Sequence, residues 1–80
     1  MYTVYIIQSQ STDKYYTGVT TDLFLRIQHH NSGANRSTRA KGPWIVVHKE
    51  TFNDKQAAWK RERQIKSYKG GEAFKKIINN

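Results

Sequence analysis

Tyr5, Tyr16, Arg26, His30 and Glu62 are the side chains whose types and spacing can do chemistry together. A phenol, a guanidinium, an imidazole and a carboxylate form a set from which hydrolysis of a phosphodiester with one metal ion can be assembled. The tyrosines lie in strand-like runs, Thr3-Val4-Tyr5-Ile6-Ile7 and Tyr15-Tyr16-Thr17-Gly18-Val19. Arg26 and His30 are one helical turn apart. Glu62 stands alone among Lys60, Arg61, Arg63 and Lys66.

Those residues need elements to hold them. Residues 3–9 and 14–19 read as the two strands of a hairpin, closed by the turn residues Gln10-Ser11-Thr12-Asp13. One register places Ile7 opposite Tyr16 and Tyr5 opposite Gly18. Both phenols then leave the same face, and the glycine leaves room for a backbone phosphate beside Tyr5. Tyr2 and Tyr15 fall on the other face and are assigned to packing.

Thr20 or Thr21 can cap a helix with Asp22 in its first turn, running to about Asn31. Leu23, Ile27 and His30 share its inner stripe, with Arg26 beside them, and His29 is expected in solvent. Residues 33–43 form a polar basic loop, and Trp44-Ile45-Val46-Val47-His48-Lys49 a third strand. Asn53 or Asp54 caps a longer helix to about Tyr68, and Glu72 to Ile78 forms a last short one. The order β-β-α-β-α-α predicts an α+β fold, a small three-stranded antiparallel sheet flanked by helices, in one domain over residues 1–80.

Each candidate also has a simpler explanation. Tyrosines suit strands. Arg26 can pair with Asp22, and a helix-terminal His30 can satisfy the last carbonyls. Glu62 is expected on a face shared with Ala58, Trp59 and Ile65, while Arg61 points elsewhere. A carboxylate on an apolar stripe needs a partner or a metal. The spacing alone leaves both open, because Lys66 is well placed for an ion pair.

Composition narrows the partners. The chain has 80 residues, a net charge of +8 and no cysteine. Disulfide scaffolds and thiolate chemistry are excluded. The charge favours a polyanion, and its spread over several elements suits nucleic acid better than a membrane. No apolar run approaches the roughly 20 residues of a membrane span, and the start lacks a secretory pattern. A soluble, cytoplasmic protein is expected. Arg36, Arg39 and Lys41 in the loop, with Lys66, are the candidate nucleic-acid contacts.

Read together, these segments resemble the GIY-YIG nuclease superfamily, especially its small stand-alone bacterial members. Thr3-Val4-Tyr5 and Tyr16-Thr17-Gly18 stand where the family has its name-giving tripeptides. Asp22-Leu23 leading to Arg26, then His30-Asn31-Ser32-Gly33, looks like the family's first helix. Ala58 through Arg61-Glu62-Arg63-Gln64-Ile65-Lys66 looks like its glutamate helix. The resemblance covers nearly the whole chain. It implies an endonuclease acting on nucleic acid, DNA rather than RNA, of a repair or recombination type. It implies that Glu62 binds one Mg2+ (or Mn2+), with Tyr5, Tyr16, Arg26 and His30 around the scissile phosphate. Thr3, Val4 and Thr17 depart from the family's Gly and Ile at backbone and packing positions. The family's late asparagine has no equivalent at the usual distance after Glu62.

Energetics constrain the tyrosines. A phenol with a pKa near 10 costs roughly 4 kcal/mol to hold ionised at pH 7. His30 is a better proton sink, and Tyr5 hydrogen-bonded to His30 or to a second phenol is the favoured relay, with either tyrosine able to touch the water. The rival to an enzyme is a non-catalytic nucleic-acid-binding module that keeps the fold; a small ribonucleoprotein component is a third reading. With little beyond a catalytic unit, weak sequence preference, specificity for a structure, or dependence on a protein partner is expected.

Overall fold

The structure, a computed structural model, describes residues 1–32 and 42–79. The loop candidates Arg36, Arg39 and Lys41 therefore lie outside the described residues. The described elements are β1 (Tyr2–Ser9), β2 (Tyr15–Thr20), α1 (Leu23–Ser32), β3 (Trp44–Phe52), α2 (Lys55–Ser67) and α3 (Glu72–Ile78). β1 is the central strand of an antiparallel sheet ordered β2-β1-β3. The expected α+β class and element order are observed.

The β1–β2 register is the expected one, with Tyr5 opposite Gly18 and Ile7 opposite Tyr16. The turn is held from inside. The buried Ser9 hydroxyl accepts from the backbone N–H groups of Ser11 and Thr12 at 3.2 and 3.0 Å. Asp13 adopts a φ of 63°, a left-handed conformation that Asp tolerates better than most residues. Ser9 N–H then reaches Lys14 O at 2.8 Å.

Alternation along β1 builds two cores. Tyr5 and Ile7 face α1 and pack with Trp44, Leu23 and Ile27. Val4 and Ile6 face the opposite way, against Ala58 and Ile65 of α2 and Phe74 of α3. Full burial of each such aliphatic side chain stabilises by about 1.5–3 kcal/mol. Tyr2 packs on the second core, and Tyr15 meets Phe74 edge-on at 5.1 Å between ring centroids, so both serve packing as expected.

Three local expectations are corrected. First, α1 starts later than expected. Asp22 is its cap, its Oδ1 accepting from Leu25 N–H at 3.0 Å, while Thr20 Oγ1 accepts from Asp22 N–H at 3.1 Å. A carboxylate can take a free N–H only from outside the helix, so Asp22 does not occupy the first turn. Second, β3 extends to Phe52 and its pairing shifts between Ile6 and Ile7. That bulge turns His48 and Glu50 toward α2, opposite Ile6 and Val4. Third, Arg61 does not point away. Its Nε and Nη2 donate to Glu50 Oε1 and Oε2 at 2.9 and 3.0 Å, tying α2 to β3. His48 donates to the same carboxylate at 2.7 Å when protonated at Nε2. Burial alone would raise the Glu50 pKa, but hydrogen bonds from Arg61 and His48 outweigh it and hold the carboxyl below its ordinary value.

α1 is fastened to the start of β3 by Asn31. Its Oδ1 accepts from Trp44 N–H at 2.6 Å and its Nδ2 donates to Trp44 O at 3.3 Å. This clip fixes the end of the helix that carries His30. Asn31→Ala is expected to lower stability by about 1–2 kcal/mol. Thermal unfolding should show a drop of about 4–8 °C per kcal/mol in a domain of this size. An unchanged melting temperature would show that the clip carries no load.

Candidate active site

The site grows from the contact between Tyr5 and Gly18. A Cβ on Gly18 would lie 2.5 Å from the Tyr5 phenol oxygen and 2.7 Å from its Cζ. The space expected for a phosphate is thus filled by the phenol itself. Because Gly18 has no side chain, the ring of the central strand lies flat over the edge strand. Its hydroxyl reaches the sheet margin, where it meets His30 Nε2 at 3.0 Å. His30 comes from the last turn of α1 and is 1% exposed; Tyr5 is 2% exposed. The imidazole also lies 4.9 Å from the Tyr16 ring and 6.5 Å from Trp44, centroid to centroid.

Electrostatics show which other groups are near. Burial pushes the Tyr5 phenol well above its ordinary pKa, and the charges of Tyr16 and Glu62 push the same way, while Arg26 opposes them. His30 is lowered by burial and then by the positive charges of Arg26 and His29. Tyr5, Tyr16 and His30 are thus in contact with one another, while Arg26 and Glu62 act on that group through their charges. At neutral pH the phenol is protonated and the imidazole neutral. With the imidazole proton on Nδ1, Tyr5 O–H donates and Nε2 accepts.

Glu62 enters from the other face of the sheet. It flanks the Ala58–Ile65 stripe rather than lying in it, with its side chain 24% exposed. Lys66 Nζ lies 3.4 Å from Glu62 Oε2, the expected i,i+4 pair. Lys66 also lines a hollow of about 350 Å³ with Tyr15, Tyr16 and Lys69, so this side of α2 faces β2. Its Arg61 side faces β3. His29 is exposed, as expected.

Trp59 departs from expectation. Its spacing puts it near Ala58 and Glu62, yet it is 48% exposed, with Lys55 Nζ 4.5 Å from its ring centroid. The only hint in the sequence is its place among basic residues.

Glu62 offers a single carboxylate, and among the described residues no three His, Cys, Asp or Glu side chains gather. One hard oxygen donor suits magnesium, which keeps several waters and takes phosphate oxygens for the rest. It does not suit a structural zinc site, which needs four protein ligands. Glu62 is thus the residue that would hold the ion implied by the family resemblance.

A sequence profile of the GIY-YIG catalytic domain matches residues 1–75. The chain is 44% identical over 66 residues to a UPF0213 protein of Haloquadratum walsbyi, covering 81% of this chain and 73% of that protein. It is 35% identical over 75 residues to a UPF0213 protein of Staphylococcus haemolyticus, covering 92% and 90%. The solution NMR structure of UPF0213 protein BH0048 from Bacillus halodurans superposes with a TM-score of 0.63 at 31% identity, over 99% of this chain and 84% of that one.

Two outcomes follow from the geometry. Gly18→Ala should displace the Tyr5 ring, break its bond to His30 and cost about 1–3 kcal/mol. A stability within 0.5 kcal/mol of wild type (roughly the spread of innocuous surface changes) would contradict the contact. The pH dependence has two limbs. The unfolded chain binds a proton at His30 below about pH 6.5 where the folded chain does not, so stability falls as pH drops below that value. The unfolded chain ionises Tyr5 above about pH 10 where the folded chain does not, so stability also falls above that value. Denaturant titrations of wild type and His30→Gln across pH should show the acid limb shrinking in the variant. An equal acid limb in both would refute it.

Proposed function

The chain belongs to the GIY-YIG family of nuclease domains, and on that premise we propose that it is a divalent-metal-dependent endonuclease acting on nucleic acid, with DNA the favoured substrate. One observation carries this reading: the Tyr5 phenol is bonded to His30 at 3.0 Å with the Tyr16 ring 4.9 Å from that imidazole, and the charges of Arg26 and Glu62 act on the same phenol. A domain that only bound nucleic acid would have no need to gather an acid and two phenols beneath a basic surface.

The reaction is in-line attack of water on phosphorus, forming one P–O bond and breaking another. As water attacks, its proton passes to the Tyr5 oxygen while the Tyr5 proton moves to His30 Nε2. The raised phenol pKa disfavours a standing phenolate in the free protein, and the proton moves during attack and not before it. The neutral imidazole supplies the accepting lone pair. Making imidazolium next to Arg26 is unfavourable in the free protein. The negative charge of a bound phosphodiester offsets that penalty.

Arg26 would hold the non-bridging oxygens, where a planar fork suits phosphate better than an ammonium. Tyr16, half-buried and open to the hollow on the β2 side, would touch the substrate. Glu62 would hold the cation and exchange its pairing with Lys66 for it. When bound there, a divalent ion supplies Lewis acidity toward the phosphoryl and leaving oxygens. Lys66, released, would stay beside the phosphate backbone with Lys69.

The test is incubation of the purified protein with supercoiled and single-stranded DNA, in magnesium, in manganese and in a chelator. Metal-dependent cleavage is expected. Glu62→Ala should abolish it and leave DNA retention within about threefold of wild type. Tyr5→Phe and Arg26→Lys should each slow cleavage roughly a hundred- to thousand-fold, the range for losing a preorganised group that acts in the transition state. Cutting by Glu62→Ala at the wild-type rate would overturn the role of that carboxylate. Retention without cutting by the wild type under all conditions would make the chain a binder.

A further inference from the structure

An exposed tryptophan is unusual, because burying an indole is among the largest single gains a small fold can make. Trp59 is 48% exposed although α2 has a buried face within reach. It lies three residues before Glu62, and side chains at that spacing are neighbours on a helix surface. Three cations and one acid surround it: Lys55 Nζ sits 4.5 Å from the ring centroid, and a hollow of about 420 Å³ beside the indole is lined by Lys60 and Arg63 together with Asp54. The Tyr–His pair and the sheet core make no use of this group.

We propose that Trp59 is a stacking platform for an unpaired nucleotide adjacent to the scissile phosphate, so that the substrate is a strand with at least one base free of its partner. The inference rests on the nuclease reading above and names the substrate class of that same site. A flat ring among cations matches the two components of single-strand recognition, a base face on an aromatic and backbone phosphates on lysine and arginine. A base in a closed duplex has no free face to offer. With a phosphate at Glu62, the next nucleotide in one direction lies over Trp59 and in the other over Lys66. Lys55 would leave the ring face for the phosphate of the stacked nucleotide. An acidic protein segment would also meet the charge, but it would have no reason to require a planar ring.

The experiment is fluorescence anisotropy in chelator, so that binding is read without cleavage. Labelled single-stranded and duplex oligonucleotides of equal length are titrated at several salt concentrations against wild type, Trp59→Ala, Trp59→Phe and Lys66→Ala. Trp59→Ala should weaken single-strand binding roughly tenfold or more, with duplex binding changed less than about threefold. Its salt slope should match wild type, because no charge is lost. Trp59→Phe should restore most of the affinity. Lys66→Ala should instead flatten the slope by about one ion. Trp59 is a surface residue on a helix that Ala favours, so the variant should fold, and a melting curve checks this. Unchanged single-strand affinity in Trp59→Ala, or equal losses on both oligonucleotides, would overturn the stacking role alone. A wild-type protein that held neither oligonucleotide would overturn the stacking role together with the proposed function.

Discussion

The contact of the Tyr5 phenol with the bare backbone of Gly18 decides what the rest of this molecule can do. The two faces of the sheet are otherwise separate. α1 brings Arg26 and His30 to one face, and α2 brings Glu62 to the other. A side chain at position 18 would push the phenol back toward the central strand. With glycine there, the phenol spans the edge strand and bonds His30 on its own side. From the far side the Glu62 carboxylate acts on it electrostatically. The missing side chain thus lets the Tyr5 ring lie against β2. The turn at Ser9 holds this register, and the clip at Asn31 holds the helix end that brings His30 to the phenol.

The second constraint concerns arginine. Arg61, the residue before Glu62, faces a different side of α2, as successive helix residues do. It is already committed to Glu50, with His48 on the same acid and Gln64 on its Nη1 at 2.8 Å. Glu62 is left with Lys66, an ammonium whose side chain is largely in solvent. An exposed lysine pair of this kind contributes little and gives way readily to a stronger charge. The Glu62 carboxylate is thus lightly held, which the proposed role in holding a cation requires.

The sequence made the hairpin legible because strand alternation, turn chemistry and a lone glycine all point to one register. The helix stripe of Leu23, Ile27 and His30 was legible for the same reason, since three positions at helical spacing agree. Glu50 was not. Without the bulge in β3, the alternation that puts Trp44 and Val46 toward α1 would put His48 and Glu50 there as well. One extra residue reverses the face, and nothing in Val46-Val47-His48 announces it. Trp59 was misplaced because helical spacing describes a broad face, while the small Ala58 lets α2 approach along a narrow one. Glu62 was legible as an anomaly of charge, but its ordinary pairing with Lys66 and its reach to Tyr5 are properties of the assembled fold.

Manganese titrated into isotopically labelled protein, read as paramagnetic line broadening, tests the central claim most directly. Broadening is expected to centre on Glu62 and to extend to Tyr5, Tyr16, Arg26 and His30 while sparing the turn at Asp13. Glu62→Gln should remove it. Broadening centred on the Glu50–His48 cluster, or broadening that survives Glu62→Gln, would contradict a one-carboxylate metal site at the edge of the sheet.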